Sequence, residues 1–260
     1  MINEIIVELN NRGYKAKAET IIKNGIEKTG ILVGEDNIRP VFYPNTTLTV
    51  NECVKEIINI YNSNATKANI DITKVTSWEY AKNNLQLCLQ RKTNEDILKR
   101  KYLDMEMYVR VRVSENSTYK IKSGVFNVSE DEIFARAILN MKKDILVEDM
   151  VEIMAEMMGC DISEISDPNS QMIVITNKAK LNGAVAICDK ELLSTIAKKY
   201  NSNLLIIPSS IHECIIYINN NPDMELYSNM VREVNETIEP EEILSDHAYF
   251  FNKETCEITW

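Results

Sequence analysis

The sequence is poor in glycine and histidine and has no closely spaced cysteines. With only seven glycines, it contains no Walker A loop or dinucleotide fingerprint, both of which need glycine where the backbone approaches phosphate. The two histidines, His212 and His247, lie far apart in sequence, and neither the H-E-x-x-H nor the C-x-x-C spacing occurs. The G-x-S-x-G turn of α/β-hydrolases is also missing. These absences exclude the common nucleotide-dependent classes and disfavour a zinc site, and we predict neither a cofactor nor a metal.

Long apolar runs are absent as well, since none approaches the ~18–20 residues that a membrane helix requires. The first eight residues include Glu4 and Glu8 but no lysine or arginine, which argues against a signal peptide. Hydrophobic residues make up 45% of the chain and charged residues 26%, the proportions of a soluble globular protein. The six cysteines are scattered singly, several within apolar runs, which indicates buried and reduced thiols. We therefore predict a cytoplasmic protein without a membrane partner.

The net charge of −10 is unevenly distributed. Residues 144–167, the first acidic segment, hold eight acids and no base, and residues 221–246, the second acidic segment, hold eight acids and one base. Residues 82–122 carry ten bases against five acids. Direct binding of nucleic acid is disfavoured, because phosphate contacts need a concentrated positive surface. The pattern favours a protein partner with a basic surface, contacted in the second acidic segment by Glu236, Glu239, Glu241 and Glu242.

Local signals predict alternating helices and antiparallel strands. Asn24-Gly25 is a preferred two-residue hairpin turn between two predicted strands, Lys15–Lys23 and Ile26–Val33, and a third strand is predicted over Ile38–Tyr43. Thr49–Glu52 and Thr76–Glu79 have the spacing of capping boxes, and the second predicts a helix that reaches Gln90. These signals favour a sheet of hairpins with helices packed against it.

The clearest strand is Leu103–Ser114, where apolar and polar residues alternate strictly, as in a half-buried antiparallel strand with one wet face. Further along, we predict a helix over Val147–Met158, a buried strand over Ala184–Cys188 and a helix with Asn221 as its N-cap and Pro222 as its first residue. Strand pairs interleaved with helices, without a repeated βαβ order, predict an α+β fold with antiparallel sheets and packed helices.

The chain has no obvious linker, and its predicted sub-domains are intimately associated. Asp, Ser, Pro and Asn cluster over Ser163–Ser170, which places a seam between an N-terminal section, residues 1–162, and a C-terminal section, residues 171–260. The alternative is one continuous unit over residues 1–260.

Several short runs spread over the chain carry a family resemblance. They are Lys23-Asn24-Gly25, Ile38–Tyr43, Asp104-Met105-Glu106, Ala137–Asn140, Thr176-Asn177 with Gly183-Ala184, Ile207–Glu213, Met230–Asn235 and Leu244–Asp246. In these residues the chain resembles a bacterial family known as domain of unknown function 5688. The resemblance spans nearly the whole sequence, and its most specific mark is the run from Pro208 to Glu213. It implies a single family unit and no established activity.

The run Pro-Ser-Ser-Ile-His-Glu is open to three interpretations: a structural turn, a contact with a ligand or partner that includes His212, and a catalytic site. Ser209, Ser210, His212 and Glu213 are the residue types of a nucleophile, a base and an orienting acid. Their spacing is unfavourable for catalysis, because adjacent residues of a strand point to opposite faces. The structural interpretation is a turn in which the serines bond the backbone and His212 satisfies a buried backbone group.

A second candidate site lies on the strand Leu103–Ser114. Asp104 and Glu106 are two residues apart, about 6.6 Å on one face, and could flank a metal or a substrate. Arg110 and Arg112 follow on the same face. They could pair with acids of a neighbouring strand or bind a phosphate or carboxylate group.

These observations favour a binding protein over an enzyme. The leading hypothesis is a non-enzymatic interaction protein that uses acidic surfaces to engage a basic macromolecule. One alternative is a hydrolase-like enzyme with its site around Ser209–Glu213, joined by Asp104 and Glu106. The other alternative is a small-molecule sensor that uses the strand face with Arg110 and Arg112.

Overall fold

A computed structural model describes residues 1–35, 40–64, 72–114, 117–165 and 171–260. The chain forms two compact units, Met1–Ile72 and Thr73–Trp260. The described residues form three antiparallel sheets accompanied by helices, which confirms the predicted α+β fold. Within these ranges, no helix has the length and apolar character needed to cross a bilayer.

In its described residues, the first unit contains a three-stranded sheet and two helices. Asn24 and Gly25 have φ angles of 47° and 80°, the left-handed backbone that the predicted hairpin turn requires. The Thr49–Glu52 capping box is confirmed, since Thr49 N donates to the Glu52 carboxylate and Glu52 N donates to Thr49 Oγ1. The predicted strand Ile38–Tyr43 is shorter than expected, and its residues 38 and 39 lie outside the described ranges. The elements are α1 Ile2–Asn11, β1 Ala16–Lys23, β2 Ile26–Val33, β3 Val41–Phe42 and α2 Val50–Asn64.

The second unit begins with a four-stranded sheet. The elements of this part are α3 Ile72–Val75, α4 Trp78–Asn84, β4 Leu85–Gln90, β5 Lys99–Tyr102, β6 Met105–Ser114 and β7 Ser117–Lys120. The strand order is β4-β6-β5, and β7 also pairs with β6. Since α4 ends at Asn84, the predicted helix through Gln90 is wrong after that residue. Leu85–Gln90 is a strand instead, with its three leucines on one face and Gln86, Cys88 and Gln90 on the other.

The rest of the second unit forms a six-stranded sheet with helices, in the order β13-β12-β10-β11-β9-β8. The strand β8 pairs with β9 from Ile145↔Asn177 to Asp149↔Ile173. The predicted sections 1–162 and 171–260 therefore share one sheet and do not coincide with the two compact units. The elements are α5 Glu130–Lys142, β8 Ile145–Asp149, α6 Met150–Met158, α7 Ile162–Ile165, β9 Met172–Asn177, a 3-10 helix Gly183–Cys188, α8 Lys190–Tyr200, β10 Leu204–Pro208, β11 Cys214–Ile218, α9 Met224–Asn235, β12 Tyr249–Asn252 and β13 Glu257–Thr259.

Three local predictions in this part are corrected. The predicted helix Val147–Met158 starts at Met150, because the preceding residues pair with β9. The predicted strand Ala184–Cys188 is a 3-10 helix. The cap of α9 is Asp223, whose carboxylate accepts from Leu226 N, and not Asn221.

One hydrophobic cluster joins both sheets of the second unit. Leu87 and Val109 of the four-stranded sheet belong to it, as do Ile206 and Phe251 of the six-stranded sheet and Phe134 of α5. Burial of such side chains stabilises by roughly 1.5–3 kcal/mol each. This shared core fixes the two sheets relative to each other, and with them the positions of the polar residues at their edges.

Candidate functional site

A cleft of about 260 Å³ opens in the second unit. Its lining comes from Arg110 and Arg112 of β6 and from parts of residues 83–88, 140–145 and 181–186, with two residues from the end of β9. The cleft therefore draws on both sheets, on the C-terminal end of α5 and on the start of the 3-10 helix. Three of its lining residues are basic and one is acidic.

The two arginines reach the cleft because they are two residues apart on one face of β6. Opposite Arg110, in register on β4, lies Gln86, whose Oε1 accepts a hydrogen bond of 3.0 Å from Arg110 Nε. Neither guanidinium forms an ion pair with a carboxylate of the described residues, and the predicted pairing with acids of a neighbouring strand is not observed there. Arg110 is half-buried and Arg112 is exposed.

Most other bases of this basic stretch are neutralised. Within residues 82–122, six of the ten bases make an ion pair with a described carboxylate, namely Lys82, Arg91, Lys99, Arg100, Lys120 and Lys122. Arg110 and Arg112 are the members of this stretch that lack such a pair and line the cleft. Within the described residues, these two guanidinium groups of the cleft therefore have no carboxylate partner.

The residues beside Arg110 do not neutralise it. Cys88 and Tyr108 are buried side by side in the register of β4 and β6. Burial raises the pKa of the Cys88 thiol and raises the pKa of the Tyr108 phenol well above its usual range. Both groups remain neutral at physiological pH, so Cys88 does not supply a thiolate nucleophile or a counter-charge.

The end of α5 contributes two charged residues of opposite sign. Lys143 is exposed and Asp144 is half-buried, and neither side chain forms an ion pair within the described residues. Asn140, also in the lining, uses its Nδ2 to donate to the carbonyl oxygens of Lys82 and Leu85. The amide therefore fixes the start of β4 against α5.

The turn at residues 208–213 supports the opposite wall of the cleft. His212 Nδ1 accepts a hydrogen bond of 3.1 Å from Asn182 N, and the His212 carbonyl accepts one of 2.8 Å from Thr176 Oγ1. Asn182 and Thr176 both line the cleft. Because Nδ1 is an acceptor, the ring proton lies on Nε2, which is 3.6 Å from a carboxylate oxygen of Glu242. His212 is thus a positioning residue for the cleft wall.

Gly183 makes this wall close-packed. A Cβ at this position would lie 2.4 Å from Thr176 Oγ1, 2.5 Å from Asn177 N and 2.8 Å from the His212 carbonyl oxygen. Two of these atoms belong to the backbone and cannot rotate away. Glycine is therefore required at position 183 for this wall of the cleft to pack against the turn at residues 208–213.

The contacts of the turn are those of the structural interpretation. Ser210 Oγ accepts a hydrogen bond of 3.0 Å from His212 N, a local bond typical of serine in turns. Both ring nitrogens of His212 face other groups, and no hydrogen bond joins the ring to either serine. The side chains of Ser209 and Glu213 make no hydrogen bond or ion pair with the described residues. Among the described residues, neither serine of this turn is hydrogen-bonded to a base that could activate it.

Asp104 does not lie on the strand face where we predicted it. Leu103 has a φ of 55°, and Leu103-Asp104 form the turn between β5 and β6, so the strand begins at Met105. Asp104 accepts hydrogen bonds from Ser245 Oγ at 2.8 Å and from Tyr249 Oη at 2.6 Å. It links the turn to the six-stranded sheet and is separated from its expected partner Glu106.

Glu106 is held by a loop that covers part of the polar strand face. Its carboxylate accepts from Thr93 N at 3.0 Å and lies 3.3 Å from Lys99 Nζ. The predicted wet face of β6 is therefore partly buried, and Tyr108 on it is only 5% exposed. In the described parts of the chain, no group of three or more His, Cys, Asp or Glu side chains could hold a metal ion.

The predicted acidic contact residues follow α9. Glu236 and Glu239 are exposed, whereas Glu241 and Glu242 are half-buried. Glu242 faces His212, and its carbonyl oxygen accepts from Ile211 N at 2.8 Å. Two of the four acids are thus free to meet a partner, and Glu242 belongs to the support of the turn.

A model for a family of unknown function, DUF5688, matches residues 1–253. The chain belongs to this family. The resemblance recognised in the sequence is confirmed, and the DUF5688 match covers both compact units. No curated protein and no solved structure matches the chain. The Pro208–Glu213 turn, singled out as the mark of DUF5688, supports the wall of the cleft in this member.

Sequence analysis missed the β4 side of the cleft. Gln86 and Cys88 were assigned to a helix, although the alternation of leucine at 85, 87 and 89 is the signal of a strand. The contribution of Asn182 has no such local signal, because its partner His212 lies 30 residues away.

Proposed function

We propose that the protein binds a small anionic molecule in the cleft, with a phosphate or carboxylate group held by Arg110 and Arg112. The observation that supports this proposal is the state of Arg110, which is half-buried and bonded to the neutral amide of Gln86. A guanidinium has five donors and binds phosphate and carboxylate oxygens in a two-point geometry. Arg110 donates from Nε to Gln86 Oε1 and also contacts the Cys88 thiol, and the donors that remain are proposed to bind the ligand.

The size of the cleft sets the size of the ligand. Small-molecule pockets commonly measure about 300–1,000 Å³, and this cleft, at about 260 Å³, accepts a small metabolite rather than a dinucleotide. Asp144 adds selectivity, because its carboxylate repels a second anionic group placed near it. We expect a ligand with one anionic end and a neutral or donor-bearing remainder.

The contacts of Cys88 and His212 support ligand binding, as in a small-molecule sensor, better than they support hydrolysis. The Cys88 thiol is kept protonated by burial, and the His212 ring serves Asn182 and Glu242. All six cysteines lie in described ranges and none forms a disulfide, which is compatible with the reducing cytoplasm that we propose as the location of the protein.

The proposal is tested by calorimetry and thermal unfolding with a panel of phosphorylated metabolites and small carboxylic acids. A ligand at 100 times its Kd stabilises the folded state by about 2.7 kcal/mol, which raises the melting temperature by roughly 5–11 °C for a domain of this size. We expect Arg110→Gln to weaken binding roughly 10- to 100-fold, because a hydrogen bond to a charged group contributes about 1.5–3 kcal/mol.

Lys101→Gln is the matched control. Lys101 is an exposed base on β5 of the same sheet, and it neither lines the cleft nor forms an ion pair with the described residues. Its removal changes the net charge by the same amount and should leave binding unchanged. A flat response across the panel, or equal losses in Arg110→Gln and Lys101→Gln, would contradict a site at the arginines.

A further inference from the structure

The helix α9 presents an apolar stripe to solvent. Its inner side is anchored by Val231, which packs with Leu205 of β10 and with Ala248, the residue before β12. Leu226, Met230 and Val234 lie on another side and are 53%, 48% and 52% exposed. They are spaced by four residues, so they succeed one another on neighbouring turns and form a continuous row. We call this row the α9 stripe.

Acidic side chains border the α9 stripe. Glu233 follows Met230 by three residues and is therefore its neighbour on the helix surface, and Glu225 and Glu236 lie near the two ends of the stripe. All three are exposed, and none forms an ion pair with a described residue. Arg232, the base of this helix, is directed to Asn229 and to the carbonyl of Asp246. The stripe is thus apolar and its border has a net negative charge.

We propose that the α9 stripe is a docking surface for an amphipathic helix of another protein, with an apolar face flanked by lysine or arginine. The stripe extends over the nine residues from Leu226 to Val234, about 12 Å of helix, which matches two turns of a partner helix packed along it. The flanking cations of the partner meet Glu225, Glu233 and Glu236 and set its orientation. This inference does not depend on the ligand of the cleft.

The negative charge around the α9 stripe favours a different protein as the partner over a second copy of this chain. In a symmetric dimer the same surface meets itself, which would place the acids of one α9 against those of the other. The chain as a whole also carries a net charge of −10, so two copies repel each other. A basic helix is attracted both by the acids that border the α9 stripe and by the net negative charge of the chain.

The test uses the full chain and three synthetic 18-residue peptides, followed by fluorescence anisotropy. The first peptide has leucine at helical i, i+4 and i+7 spacing with lysine on the flanks. The second keeps the leucines and replaces each lysine by glutamate, and the third has the composition of the first in scrambled order. We expect the first peptide to bind at least tenfold more tightly than the other two, and to weaken as salt is raised from 50 to 300 mM.

The matched variants are Met230→Gln in the stripe and Leu139→Gln on α5. Leu139 is 52% exposed, close to the value of Met230, but lies on a different helix. Met230→Gln should reduce the affinity for the lysine peptide about tenfold, Leu139→Gln should not change it, and the triple variant E225Q/E233Q/E236Q should remove most of its salt dependence. Circular dichroism and the melting temperature show whether each variant is folded.

Several results would overturn the proposal. Failure of the lysine peptide to bind, or equal binding of the glutamate peptide, shows that the charged border selects no basic helix. Equal affinity in Met230→Gln and Leu139→Gln places the contact elsewhere. Concentration-dependent dimerisation in sedimentation experiments, abolished by Met230→Gln, assigns the stripe to a second copy of this chain.

Discussion

The bond between Asp104 and the C-terminal strand region leads to a quantitative prediction about stability. Tyr249 is fully buried and Ser245 is 3% exposed, and both donate to the Asp104 carboxylate. Asp104→Ala leaves two buried hydroxyls without their acceptor, at roughly 1–3 kcal/mol each. We therefore expect a loss of about 2–6 kcal/mol in the free energy of unfolding of the second unit. Asp104→Asn retains one acceptor oxygen and should lose about half as much.

A double-mutant cycle isolates the bond itself. Tyr249→Phe removes one donor, so in its presence the replacement of Asp104 by Asn should cost less, with a coupling energy of about 1–2 kcal/mol. Asp131→Asn is the control, because Asp131 also pairs across elements but its side chain is 88% exposed. A surface ion pair contributes little, and this variant should unfold like the wild type.

Urea denaturation followed by tryptophan fluorescence is a suitable assay. Both tryptophans, Trp78 and Trp260, belong to the second unit, so the signal reports the unit that contains Asp104. A cost below about 1 kcal/mol for Asp104→Ala, or additive effects in the cycle with Tyr249→Phe, would refute the claim that this carboxylate satisfies buried donors.

Two further predictions concern packing and pH. Gly183→Ala should destabilise the second unit by about 1–3 kcal/mol and weaken anion binding. The control is Gly124→Ala, where φ is 78° and the surrounding space is open, so this variant should change stability alone. Equal ligand affinities in the two variants would show that the wall is not close-packed. Burial raises the pKa of the Cys188 and Cys214 thiols and of the Tyr249 phenol. The folded state then holds protons that the unfolded state releases above about pH 8.5 for thiols and pH 10 for phenols. Stability should be unaffected by these groups below that range and fall as pH rises through it, with a shallower fall above pH 10 in Tyr249→Phe; a urea midpoint that stays constant to pH 11 would contradict this assignment.

Sequence analysis identified the elements whose signals are local. The hairpin at Asn24-Gly25 and the capping box at Thr49–Glu52 are set by residues within four positions of one another, and both were confirmed. The alternation on β6 placed Arg110 and Arg112 on one face, and the structure brings both into the cleft. These features depend on the intrinsic preferences of neighbouring residues.

The errors have equally physical causes. The spacing of Thr76–Glu79 suggested a long helix, but tertiary pairing of Leu85–Gln90 with β6 overrode it. We predicted that the alternating strand starts at Leu103. Leucine gives no sign in the sequence that its backbone adopts the left-handed conformation found at this residue. The short apolar run Ala184–Cys188 does not distinguish a strand from a 3-10 helix.

The tight fit of Gly183 has a consequence beyond this chain. Since two of the three obstructing atoms are backbone atoms, no single side-chain exchange elsewhere can make room for a methyl group. Any protein of DUF5688 with a bulkier residue at this point must route its main chain differently between the sheet and the turn. The residue type at this position therefore indicates which members of DUF5688 share the cleft.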